Sequence, residues 1–301
     1  MNVVDQENPS TTDNVPAAWQ TADTIITFNC TDNVACDKTY YTTDGNDPTL
    51  LSSYVDAGTS WQFVVTTEGQ YVIKYFSLDA AANPESIKTA SNTLKIDKTL
   101  PVATAVSIVS NNSNPVYAKE GNTITVSFTT SEPVNTPTAT IAGKTATVTN
   151  TSGNDYTATY TLTAAETQGV ASLAIDFTDI AGNSATQVTA TTDSSSVTID
   201  TIKPVLSNII PNTSNPLVAE FNFTTNENST AIINYGPSTA YGSTVFISNS
   251  YTLNHNITIT GLNQCEKYNY SLTITDESGN VYISPDAIFQ VNCNVLGGGG
   301  G

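Results

Sequence analysis

The chain has 301 residues, 27 of them acidic against nine basic, and a formal net charge of −18. That balance excludes nucleic acid as a partner, since binding it needs Lys and Arg to displace counterions from phosphate, and it excludes a basic membrane-surface patch. Charged residues make up only 12%, with one Met and one His, and Thr, Ser, Asn, Val and Tyr fill the remainder, a mixture suited to short pleated strands and polar turns rather than helices.

Residues 1–13 read as an N-terminal linker. "MNVVDQENPS" lacks the basic and apolar regions of a signal peptide, which fits a piece of a longer exported protein. Alternating runs separated by turns then follow along the chain: "TIITFNC" (24–30), "TITVSFTT" (123–130), "DYTATYTLT" (155–163), "AEFNFTT" (219–225), "AIINYG" (231–236), "NITITGL" (256–262) and "YNYSLTITD" (268–276). Two phrases, "LKIDKTLP" (94–101) and "VTIDTIKP" (197–204), alternate as strands and stop at a proline that cannot donate to a ladder. Each is expected to be a last strand running straight into the next domain. The predicted domains are therefore 14–100, 101–203 and 204–294, with very short links and a Gly-rich linker or tail at 295–301. Several short strands per hundred residues predict an all-β chain of three tandem β-sandwiches. No stretch is long enough to span a membrane.

A further phrase occurs once per domain: "SLDAAANPES" (77–86), "FTDIAGNSAT" (177–186) and "ITDESGNVYI" (274–283), each with an Asp and, four positions on, an Asn. Each follows a long alternating strand, so each is expected to be the hairpin turn leading to the last one. Asp and Asn satisfy turn backbone, and Gly182 and Gly279 take positive φ at low cost. Ala82 replaces glycine in the first copy, where a different turn is expected.

The four cysteines form two local pairs, Cys30 with Cys36 and Cys265 with Cys293, with no CxxC and no nearby His. Disulfides fit better than zinc, and they imply an oxidising, extracellular or cell-surface setting. His255 alone cannot build a Ser-His-Asp, Cys-His or multi-histidine metal site and is expected to be structural; no phosphate-binding loop or HExxH is present. Asp32, Asp37, Asp44 and Asp47 could offer oxygens to calcium but lack the DxDxDG order and are equally good turn formers. Asp97 and Asp200, beside the domain junctions, are a second calcium candidate, because an ion could stiffen a junction. Trp19, Trp61, Tyr40, Tyr41 and Tyr54 crowd the first domain; such rings stack on sugars in carbohydrate-binding modules and also fill sandwich cores.

The phrases "VPAAWQTADTIITFNCTD", "TYYTTDGNDPT" and "YVIKYFSLDAAANPE" resemble a bacterial Ig-like module of the chitobiase/β-hexosaminidase C-terminal-like kind. "YAKEGNTITVSFTTSEPV" and "FTDIAGNSA" resemble a generic bacterial Ig-like repeat of surface adhesins. "AIINYGPSTAYG" and "HNITITGLNQCEKYNYSLTITDESGN" are similar to fibronectin type III domains of the kind that precedes purple acid phosphatase catalytic domains, with Leu262 and Tyr268 at the tyrosine corner. These resemblances imply architecture and no catalytic residue. The expected function is a non-catalytic extracellular spacer of a stalk, adhesin or surface layer, with other surface proteins or polysaccharide as partners. The alternatives are a carbohydrate-binding accessory region of a hydrolase, through Trp19 and Trp61, and the front part of a secreted metallophosphatase.

Overall fold

A computed structural model describes residues 5–207, 209–246 and 250–293. The expected Gly-rich segment at 295–301 lies outside them. Among the described residues the regular secondary structure is strand except for one short 3-10 turn at Ala57–Thr59, and no helix is long and apolar enough to cross a membrane. Three separate hydrophobic cores, drawn from residues 15–96, 106–199 and 219–291, sit in three tandem β-sandwiches.

In the first, the sheet of Ser10–Asp13, Thr24–Thr31 and Gln62–Val65 faces the sheet of Ser53–Asp56, Cys36–Thr42, Lys74–Asp79 and Lys88–Thr89. Ile26 and Phe28 point inward from alternate positions of the second strand, and Phe28 lies 4.6 Å from Tyr75 across the core. The second sandwich is built on Thr123–Thr130, whose alternating pattern buries Ile124, Val126, Phe128 and Thr130 and leaves the intervening hydroxyl residues outside. That is the period-2 signature of a half-buried strand. Its last strand, Thr198–Ile199, pairs in parallel with Tyr117–Ala118.

The third differs from expectation. The two runs read as separate strands, 219–225 and 231–236, are parts of one 19-residue strand, Val218–Gly236. Its first part pairs with Thr252–Thr260 and its second with Lys267–Asp276, and the register shifts between Thr224 and Ser229. Thr225, Ser229 and His255 fill that irregularity with mutual hydrogen bonds, and across 225–228, where neither ladder continues, the strand exchanges one partner for the other. At the expected tyrosine corner the Tyr268 hydroxyl accepts from the Asn263 backbone N–H at 3.1 Å. Cys30 is bonded to Cys36 and Cys265 to Cys293.

Candidate functional site at the domain junctions

The thrice-repeated turn does more than reverse the chain. In each copy the Asp backbone N–H bonds to the Asn carbonyl, closing the hairpin: Asp79 to Asn83 at 3.2 Å, Asp179 to Asn183 at 3.0 Å and Asp276 to Asn280 at 3.2 Å. The residue before the Asn has positive φ in all three, 69° at Ala82, 101° at Gly182 and 82° at Gly279. The first turn therefore does not differ, contrary to expectation; Ala82 adopts the left-handed conformation that glycine would take more cheaply.

Each Asp is 1% exposed, and the Asn is what makes that burial tolerable. The Asn backbone N–H donates to one carboxylate oxygen and its Nδ2 to the other, at 2.7 Å each for Asn83 to Asp79, 2.8 Å each for Asn183 to Asp179, and 2.8 and 2.9 Å for Asn280 to Asp276. Bonds to both oxygens offset the cost of desolvating a charge. At Asp79 burial pushes the carboxyl pKa up, but the Asn83 bonds and those from the 81 and 82 backbone bring it below the ordinary value. At Asp276 burial wins and the pKa is raised.

The same Asn side chain reaches a second partner outside its own turn. Asn83 Nδ2 donates to the carbonyl of Asp5 at 3.1 Å, Asn183 Nδ2 to that of Asp97 at 3.0 Å, and Asn280 Nδ2 to that of Asp200 at 2.9 Å. Asp97 and Asp200 stand directly after a last strand, Leu94–Ile96 or Thr198–Ile199, and a buried proline follows four residues on, at Pro101 and Pro204. Asp5 and buried Pro9 have the same spacing. Each of these aspartates also caps its own turn, accepting at Oδ1 from the backbone N–H two residues later, Glu7, Thr99 or Ile202, at 3.1–3.2 Å.

A third acid completes each group. Carboxylate oxygens of Asp5, Asp32 and Asp79 lie within 4.8 Å of one another, as do those of Asp97, Glu132 and Asp179, and those of Asp200, Glu227 and Asp276. Asp32, Glu132 and Glu227 occupy equivalent places, each four residues after a buried inward phenylalanine, Phe28, Phe128 or Phe223. Among the described residues no lysine forms an ion pair with any of these nine carboxylates; the four pairs present are Lys38–Asp37, Lys74–Asp47, Lys88–Glu85 and Lys98–Asp23. The crowding shows in the ionisation of the glutamates. Burial, then Asp97, Asp179 and Glu68, push the Glu132 pKa up; burial, then Asp200 and Asp276, do the same to Glu227.

The second junction carries further bonds between neighbouring sandwiches. Asn112 Nδ2 donates to the Ser278 carbonyl at 2.9 Å, Tyr117 Oη to Glu277 Oε2 at 2.7 Å, and Lys119 Nζ to the Gly279 carbonyl. These fix the third sandwich's Asp276–Asn280 turn against the second.

Of the residues singled out in the sequence, Asp32, Asp37, Asp44 and Asp47, named both as calcium candidates and as turn formers, are scattered in the structure. Asp32 joins a triad, but Asp37 sits beside Lys38, Asp44 caps the Asn46 turn at 3.0 Å, and Asp47 pairs with Lys74 at 2.7 Å. Asp97 and Asp200, the junction candidates, do enter triads. Trp61 is half-buried against the first core, and Trp19 is half-buried with Lys95 Nζ 5.9 Å from its ring centre. His255 is 4% exposed, stacked on Phe223 at 4.8 Å, and burial lowers its pKa. Asp5, Glu132 and Glu227 went unread in the sequence. The signals were there: a third Asp-to-Pro junction phrase in "VDQENP", and an acid four residues after phenylalanine in "FNCTD", "FTTSE" and "FTTNE".

No family model matches the chain, and no curated protein matches it. Solved structures similar to it are multi-domain. An I-band fragment of titin covers 96% of this chain and 99% of its own at 9% identity, TM-score 0.49. The fibronectin(III)-like modules of Clostridium thermocellum CbhA cover 64% and 94% at 15% identity, TM-score 0.33. A tetra-tandem repeat in the extending region of a large adhesion protein covers 95% and 74% at 16% identity, TM-score 0.29.

Proposed function

We propose that this chain is a non-catalytic spacer, a stiff run of three β-sandwiches from a secreted or surface-anchored protein, which holds other parts of that protein at a distance. The observation that carries this reading is the junction itself. One sandwich's last strand passes through Asp97 or Asp200 into the next without a flexible linker, and an asparagine of the following sandwich holds that aspartate's backbone carbonyl. Two disulfides suit an oxidising exterior. The sole imidazole is buried in the third sandwich, where it is not placed to serve a Ser-His or Cys-His pair at the surface.

Small-angle scattering tests the reading. A single compact globule of this length would have a radius of gyration of about 19 Å, whereas three touching domains in line give about 30 Å. A value near the latter, with a maximum dimension sharply defined rather than broad, is expected. A value near 19 Å, or a broad distribution of lengths at each junction, would remove the spacer reading. Depletion of the protein by insoluble chitin or cellulose, abolished by Trp19→Ala or Trp61→Ala, would replace it with the carbohydrate-binding one.

A further inference from the structure

The three acidic triads have a chemistry that a spacer does not require. Three carboxylates converge within 4.8 Å at each, one is 1% exposed in every case, and no lysine pairs with any of them among the described residues. Like charges so placed repel strongly unless something neutralises them.

A second observation says what kind of neutraliser is missing. In the first triad Asp5 Oδ2 and Asp32 Oδ1 are both shut off from solvent and have no hydrogen-bond partner. Every other oxygen of that group is engaged. Asp5 Oδ1 accepts from Glu7 N–H and Asn33 Nδ2, Asp32 Oδ2 from the Val34 and Ala35 N–H groups, and Asp79 from Asn83 through both oxygens. A buried carboxylate oxygen left without a donor costs free energy, and such orphans are rare in folded proteins. Here two orphans belong to one cluster, on separate segments that the bond from Asn33 Nδ2 to Asp5 Oδ1 joins. The donors take one oxygen each of Asp5 and Asp32 and both of Asp79, and what remains is a pair of hard anionic oxygens, Asp5 Oδ2 and Asp32 Oδ1, with no proton donor.

We propose that each triad binds one calcium ion: Asp5, Asp32 and Asp79 at the first, Asp97, Glu132 and Asp179 at the second, and Asp200, Glu227 and Asp276 at the third. Oxygen-only ligands of mixed Asp and Glu type suit a cation that accepts six to eight oxygens in loose geometry, with water completing the shell, better than one demanding a strict octahedron. The clamping asparagines are positioning residues: each holds its Asp carboxylate and the junction carbonyl in place without offering an oxygen. At the second and third sites the ion would bridge two sandwiches, since Asp97 and Asp200 follow the last strand of one and the other two acids belong to the next. The assignment does not depend on the spacer reading, because a chain with any other task would still have to neutralise these carboxylates.

Isothermal titration of the chelator-stripped full chain with calcium chloride tests it. The expected stoichiometry is three per chain. Asp32→Asn, Glu132→Gln and Glu227→Gln each leave the Asp–Asn turn untouched, and each should lower the stoichiometry by one, the triple variant binding none. Circular dichroism of each variant separates a lost site from a lost fold. A calcium-dependent rise in melting temperature is expected for the unsubstituted chain and not for the triple variant. No saturable binding at millimolar calcium would overturn the proposal, as would binding that the triple variant retains. Magnesium binding at the same stoichiometry with calcium excluded would overturn the choice of ion.

Discussion

Replacing Asn183 by alanine isolates the clamp at the first junction. The side chain is 7% exposed and its Nδ2 makes two bonds, to Asp179 Oδ2 at 2.8 Å and to the Asp97 carbonyl at 3.0 Å. A hydrogen bond to a charged acceptor contributes about 2 kcal/mol and one to a neutral carbonyl about 1 kcal/mol, so the truncation should cost the second sandwich about 3 kcal/mol. The backbone bond from Asn183 N–H to Asp179 Oδ1 survives, which keeps the estimate from rising further. Hydrogen exchange read by mass spectrometry suits a chain with three separate cores, because it reports on each one. Peptides from 103–199 should lose protection by about a hundredfold, since each 1.4 kcal/mol is a factor of ten. Peptides from the third sandwich should be unchanged. A loss below about fivefold in 103–199 would mean that the buried Asp179 carboxylate needs no donor there, and the account of the clamp would fail.

Other substitutions probe the remaining features. His255 is neutral in the fold and its pKa is depressed from 6.5 by burial, so unfolding takes up a proton below that pH. The third sandwich should keep the His255 contribution to its stability above about pH 6.5 and lose it as pH falls below that, and His255→Gln should flatten this dependence in denaturant titrations at stepped pH. Ala82→Gly should stabilise the first sandwich by about 1 kcal/mol, because φ of 69° strains an L side chain; a destabilisation in urea melts would refute this. Removing the Cys30–Cys36 bond with a Cys30→Ser, Cys36→Ser pair should cost that sandwich about 2 kcal/mol through the small loop it closes, measured as a shift of its urea midpoint at unchanged slope.

The strands and the links were legible because period-2 alternation, turn residues and prolines act locally. Thr123–Thr130 shows its buried face in its own letters. The join of two runs into Val218–Gly236 was not legible, because 225–229 is polar and reads as a turn. It stays extended with partners from elsewhere in the chain: His255, from a strand thirty residues on, meets Thr225 and Ser229, and the 205–206 backbone pairs with Thr225 and Asn226. The Asp–Asn phrases announced a turn and hid a cluster for the same reason. That Asp79 can shape a hairpin follows from its neighbours in sequence. That it meets Asp5 and Asp32 follows from strand pairing across the whole sandwich, which brings distant segments together without leaving a mark on spacing. Comparing the three copies against each other, rather than searching any one for a known loop, is what would have exposed Glu132 and Glu227.

The division of the triads between units gives the chain a direction. Each sandwich offers two acids and an asparagine at its entry end, and the first and second each offer a single aspartate, Asp97 or Asp200, at the exit end, like a socket and a plug that fit in one order only. Residues 5–9 present the plug to the first sandwich, so all three sandwiches are entered in the same way. A cut placed before Asp97 or Asp200 leaves the following sandwich with its whole entry group. A cut placed after either strips one acid and the clamped carbonyl from a sandwich whose own sequence is untouched, and an experimenter trimming at the proline would misread the resulting weakness as a property of the domain.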